Sequence, residues 1–256
     1  MTARATWWRT WAMAWRAAAA NRRGFFTQIT MMVVNDAVWL VFWLIVFRQV
    51  VEIRGWRFDD VLVLFAILTT SAGAVLGAMH NARQIGHLAW SGELDAVLGL
   101  PVAPLPHLLL RRVETLFVGD LAFGIVLFAL FGNPTPARVA TFVFGVVCAV
   151  AVLTGFLVAA GSTAFFVDRN EAGEMGFHGL LLFSSYPIDI FAGATKFVLY
   201  VVVPAGFVSS VPARLVAEFD LRWAAASAAA ELLFALGGVV MFRLGLRRYT
   251  SGSTWV

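Results

Sequence analysis

The chain has 256 residues, of which 61% are hydrophobic and 13% charged, with a mean hydropathy of +0.83 and a formal net charge of +4. Soluble domains carry about 25% charged and about 45–50% apolar residues, so this composition excludes collagen-like, disordered and soluble-enzyme classes and reads as an integral membrane protein. A single cysteine, Cys148, excludes a disulfide scaffold, and the excess of 19 basic over 15 acidic residues is read as orientation rather than nucleic-acid affinity.

The first 23 residues lack the continuous apolar core of a signal peptide. At about 100° per residue, Trp7, Trp8, Trp11 and Trp15 fall in one quadrant of a helix, and Arg9, Arg16 and Arg23 line another face. This predicts an amphipathic helix over 1–23 lying along the inner leaflet.

A helix needs roughly 20 apolar residues to cross about 30 Å of hydrocarbon. Five stretches meet or approach that length: 29–47, 61–79, 116–131 (reachable from Leu108), 139–167 and 224–242. A sixth apolar region, 176–211, is interrupted by Pro187, Pro204 and Pro212. Proline removes a backbone donor and kinks helices, so this region reads as one span from about Gly176 followed by a broken or re-entrant segment over 186–212. The expectation is an all-α membrane protein with six spans in one domain, 1–256.

Six spans put both termini on one side of the membrane. Arginine and lysine number 12 on that side and seven on the other, so the positive-inside rule predicts cytoplasmic termini.

Between spans two and three lies the longest non-spanning stretch, with its loop over 84–106. Ser91 is positioned to cap a short helix in which Leu94, Val97 and Leu98 form one apolar face, Glu93 and Asp95 point elsewhere, and Pro101, Pro104 and Pro106 stop it. His80 and His87, seven apart, would share a face near the inner end of span two. Without carboxylate partners they read as interfacial polar residues and not as a metal site.

Chemistry-bearing motifs are absent. The single lysine, Lys196, follows Thr195 and precedes Phe197, so the chain has no Gly-Lys-Ser/Thr phosphate loop. There is no GxSxG elbow, no HExxH and no Cys/His cluster. Polar residues within the apolar stretches are Asn35, Asp36, Asp120, Asp189 and Glu231. Each is costly there, and together they either line a translocation path or hydrogen-bond helices to one another. Small residues crowd spans two and four, among them Gly73, Gly77, Gly155 and Gly161, and suit close packing in a bundle or a dimer interface.

The run Gly92-Glu93-Leu94-Asp95, followed by Leu98 and Leu100-Pro101, resembles the permeases of type-2 ABC exporters when combined with the N-terminal helix and six spans. FSSYPIDIF at 183–191, VPAGF at 203–207 and VPA at 211–213 resemble one branch of that class, with its Tyr-Pro…Pro-Ala…Pro-Ala pattern. The resemblance implies that 91–99 is a coupling helix docking on a separate P-loop ATPase through Ser91, Gly92, Glu93, Leu94, Asp95, Val97 and Leu98, with 167–174 as a second, smaller contact. It implies that Tyr186, Pro187, Pro204 and Pro212 shape outer re-entrant elements. It also implies a multi-pass subunit of a prokaryotic plasma membrane, working with two ATPase copies and a second permease chain, identical or homologous. ATP and Mg would belong to the partner, with no cofactor on this chain. The expected function is export of an amphipathic or lipid-like substrate. The alternatives are a non-transporting membrane scaffold or assembly protein, or an intramembrane lipid-modifying enzyme using Asp36, Asp120 and Glu231.

Overall fold

The computed structural model describes residues 3–167 and 172–250. Residues 1–2 of the expected amphipathic helix, the side chain of Trp7, residues 168–171 of the smaller loop and residues 251–256 lie outside the described residues. All regular elements among the described residues are helical.

Helix α1 (Ala3–Ala19) and helix α2 (Arg22–Gln49) are separate elements. The carboxamide of Asn21 accepts from the Gly24 N–H at 3.1 Å and starts α2. Arg23 therefore belongs to α2 and does not continue the arginine face of α1. Helix α3 (Phe58–Ala78) begins where the Asp60 carboxylate accepts from the Arg57 N–H at 3.0 Å. After α3 come three short helices, α4 (Ile85–Trp90), α5 (Glu93–Leu98) and α6 (Pro104–Leu110), then α7 (Val118–Phe131). Thr135 and Pro136 open the long α8 (Pro136–Ser162), as the missing donor of proline suits a first helical turn. The chain continues through α9 (Ala172–Ser184), α10 (Gly193–Val201), α11 (Val211–Ala217) and α12 (Leu221–Leu246).

Among the described residues, four helices are long and apolar enough to cross a membrane: α2, α3, α8 with its 163–165 extension, and α12. Two bent pairs raise the candidates to six, α6 with 115–131 at 71° and α10 with 206–217 at 70°. Two expectations change here. The third apolar stretch does not run straight back to Leu108, because the chain bends between α6 and Thr115. Helix α9, where the fifth span was expected, has 13 residues, about 20 Å at 1.5 Å per residue, shorter than the hydrocarbon layer.

Glycine contacts set how the long helices pack. A Cβ on Gly119 of α7 would lie 2.9 Å from the Ile29 carbonyl oxygen of α2, and Thr115 pairs with Gln28. Gly73, Gly77 and Gly124 bring α3 and α7 together in opposite directions. A Cβ on Gly238 of α12 would sit 2.6 Å from the Gly155 carbonyl oxygen of α8. The small-residue rows of α3 and α8 thus pack inside the bundle, where backbones approach without intervening side chains. The hydroxyls of Thr69, Thr70 and Ser71 return to carbonyls one turn back at 2.8, 2.6 and 2.7 Å, so their burial leaves no donor stranded. Of the most apolar stretch of α3, 89% is buried, against 11% for α2. Helix α3 is the bundle axis, and α2 keeps most of its apolar surface outward.

Candidate functional site

The two ends of the bundle carry different chemistry. At one end the chain between α3 and α7 forms a cap. The Asn81 carboxamide donates to the Leu108 carbonyl at 2.8 Å, and the Glu114 N–H donates to Gly77 at 2.9 Å, fastening α6 and the start of 115–131 beneath α3. Ile85, Leu88, Leu94, Val97 and Leu108 are buried in one cluster with Val158 of α8 and Phe242 of α12. Helix α1 packs on α6 at this end, and Tyr249 meets Phe165 edge-on at 5.8 Å.

This geometry corrects the reading of the loop helix. Ser91 does not cap α5; it closes α4, and α5 starts after Gly92, whose φ of +76° lies in the left-handed region. The apolar face also divides. Leu94 and Val97 are 0% and 1% exposed and face the bundle, whereas Leu98 is 37% exposed. With Leu98, the outward surface holds Trp90, Ser91, Glu93, Ala96 and Leu100, and Asp95 is half-buried. Trp90, at 65% exposure, was not singled out from the sequence, although a tryptophan beside a loop helix is a legible signal. Pro104 does not stop α5; it occupies the first turn of α6.

His80 is buried and His87 exposed, because a 3-10 turn over His80–Gln84 interrupts the periodicity that would align them. Burial, then the nearby charges of Arg83 and Arg112, pushes the His80 pKa down to about 4. Arg83 also reaches Glu174 at 3.8 Å and lies 5.0 Å over the Phe177 ring, so the described part of the 167–174 loop joins the same end.

At the other end, the connection between α2 and α3 meets the segment after α9. The Trp56 indole N–H donates to Asp189 Oδ2 at 2.9 Å, Lys196 Nζ to Oδ1 at 2.6 Å and Arg214 Nη2 to Oδ2 at 3.0 Å. The Arg214 guanidinium lies 4.6 Å from the Trp56 ring centroid. The single lysine of the chain is thus one of two cations on Asp189. The sequence marked Asp189 as polar but not its partners: Lys196 lies seven residues on, Arg214 25 residues on and Trp56 133 residues back. The three prolines punctuate this region: Pro187 precedes the 188–190 turn, Pro204 a π-helical turn over Gly206–Ser210, and Pro212 occupies the first turn of α11. Pro212 packs on Gly145 of α8, and Tyr186 sits edge-on against Trp39, Phe42 and Trp43 of α2.

The remaining candidate path residues occupy separate places. Asp36 of α2 and Asp120 of α7 are both 4% exposed and face one another within hydrogen-bonding reach. Asn35 lies exposed beside Asp36. Glu231 of α12 accepts from the Cys148 thiol of α8 at 3.3 Å. Five polar residues therefore mark three sites: Asn35, Asp36 and Asp120 share one, and Asp189 and Glu231 each stand apart.

A family model described as ABC-2 family transporter protein matches residues 33–253. No curated protein and no solved structure matches the chain.

Proposed function

The chain belongs to the ABC-2 family of transporter proteins, and from that premise we propose that it is the permease subunit of an ATP-driven exporter whose ATPase is a separate polypeptide. It is a multi-pass membrane protein, and family membership brings with it an ABC ATPase as partner in general.

The observation that carries the finer reading is the capped end. Its short helices are fixed to α8 and α12 through Leu94, Val97 and Leu108, yet they present Trp90, Glu93, Leu98 and Leu100 outward. A surface held this way transmits a push. When ATP and Mg bound by two partner subunits close the ATPase dimer, movement of α4 and α5 is passed to α8 and α12 through side chains that cannot slip.

Six spans with both termini in the cytoplasm fit the excess of basic residues on the capped side. In this topology α9 and the 186–212 segment together make the fifth crossing and the outer re-entrant elements, placing the Asp189 cluster at the exit. The exposed apolar side of α2, with Met31, Val34, Val38 and Ile45, faces a second permease chain, identical or homologous. Between the two chains passes an amphipathic or lipid-like cargo, out of a prokaryotic cytoplasm or inner leaflet.

Co-expression with a P-loop ATPase encoded beside it tests this. The two proteins should co-purify, and vesicles holding both should move a fluorescent amphiphile only with MgATP. Stable vesicles without MgATP-dependent movement, or a permease that never retains the ATPase, overturn the reading.

A further inference from the structure

The Asp189 cluster lines a cavity of about 360 Å³ that continues into a cleft of about 640 Å³, the two sharing Trp56, Arg214 and Trp223. Ligand pockets fall in the range of about 300–1,000 Å³. The charge along this space is ordered. Its floor holds two cations, Lys196 and Arg214, on the single carboxylate of Asp189, which leaves one positive charge in excess. Arg214 engages Asp189 through Nη2, and its side chain is 48% exposed, so the rest of a five-donor guanidinium faces the space.

The rim has the opposite sign. Asp60, Glu218 and Asp220 line the outer cleft. Asp60 and Asp220 each engage one oxygen with a backbone N–H, those of Arg57 and Arg222, and Glu218 is exposed. Aromatic rings span the boundary. Tyr200 and Trp223 stack at 6.3 Å and 25°, and Trp223 is 45% exposed.

A simple anion would meet the floor but be repelled by the rim, and a simple organic cation would suffer the reverse. A ligand carrying both charges a few ångströms apart satisfies each end. Its phosphate would take the guanidinium donors, and its quaternary ammonium would lie against the indole and the carboxylates. We infer that this cleft is a binding site for a zwitterionic ammonium–phosphate headgroup of the phosphocholine type. This deepens the exporter reading by naming the chemistry recognised at the exit end, and it rests on that reading for the side of the membrane.

The test titrates the purified full chain, in maltoside detergent, with dihexanoyl phosphatidylcholine, dihexanoyl phosphatidylglycerol and free phosphocholine, reading heat of binding. The phosphatidylcholine should bind about tenfold more tightly than the phosphatidylglycerol, the worth of one cation–π or charge-assisted contact. Arg214→Gln and the exposed Trp223→Leu should each weaken it about tenfold, and Glu218→Gln should narrow the preference between the two lipids. Equal binding of both lipids, or affinities unmoved by all three substitutions, overturns the site. Phosphocholine binding as tightly as the lipid assigns a soluble headgroup compound, and weaker binding assigns the lipid; either supports the site. Because binding is read without an ATPase, a chain that binds but never transports loses only the exporter reading. A chain that transports without headgroup preference loses only the site.

Discussion

The indole N–H of Trp56 donates to the Asp189 carboxylate at 2.9 Å across 133 residues of sequence, tying the α2–α3 connection to the segment after α9. Partial burial works against ionisation of Asp189, but hydrogen bonds from Lys196, Trp56 and Arg214 outweigh it and hold the carboxyl below its ordinary value. A depressed carboxylate pKa contributes stability that is present above the unfolded value and lost as pH falls through the folded one. The melting-temperature deficit of Asp189→Asn should therefore stay constant from about pH 8 to about pH 5 and shrink below about pH 4. A deficit that persists unchanged at pH 3 would refute the ionised cluster. Trp56→Phe keeps the ring and removes the donor, and should cost about 1–2 kcal/mol.

Adjacent glycines on α12 give a contrast within one turn. A Cβ on Gly238 would meet the Gly155 carbonyl oxygen at 2.6 Å, a backbone atom that cannot swing aside, whereas one on Gly237 meets nothing within 4 Å. Gly238→Ala should destabilise by about 1–3 kcal/mol through overpacking, and Gly237→Ala should be neutral. Thermal unfolding of the two variants in detergent checks this; matching midpoints would contradict the close approach of α8 and α12.

Long apolar helices were legible in the sequence because crossing a bilayer demands length and composition together: α2 and α12 contain the stretches expected of them, and α3 and α8 contain all but the last few residues of theirs. The glycine and threonine rows were legible as packing faces, but a helical period says nothing about which helix a face meets. The ends were read less well. The left-handed Gly92 splits the expected loop helix, and a six-residue helix is too short for periodicity to show that Leu94 turns inward while Leu98 turns out. Asp189 stood out as a polar residue in an apolar region. Its partners Trp56 and Arg214 could not be read, since they lie 133 and 25 residues away and only the folded bundle joins them.

His80 provides a second pH dependence of different origin. It sits just past the end of α3, 2% exposed, and burial followed by the charges of Arg83 and Arg112 lowers its pKa to about 4. It is neutral in the folded protein at neutral pH. Between an unfolded value of about 6.5 and the folded value, the unfolded chain binds a proton that the folded chain refuses, so stability falls as pH drops through this window. The midpoint of the wild-type chain should decline from about pH 7 to about pH 5, and His80→Gln, which cannot titrate there, should decline less. Parallel declines for the two proteins would show that His80 is not the group responsible.

Two leucines four residues apart at the capped end allow folding to be tested separately from the proposed docking. Leu94 is fully buried against α8 and α12, and Leu98 is 37% exposed. An aspartate at Leu94 would place a carboxylate in an apolar cluster without a partner, costing about 3 kcal/mol or more, so loss of ATPase association in Leu94→Asp would report misfolding. At Leu98 the same substitution reaches water and should change stability by no more than about 0.5 kcal/mol. Leu98→Asp should therefore melt like the wild type and yet retain about tenfold less ATPase on co-purification, because a charge replaces an apolar contact in the interface. Combining it with Trp90→Ser should deepen the loss, since an exposed tryptophan beside the helix is the largest apolar surface that a partner could cover there. If the doubly substituted chain keeps its melting temperature and still retains the ATPase in full, the partner does not dock on α4 and α5, and force must enter the bundle by another route.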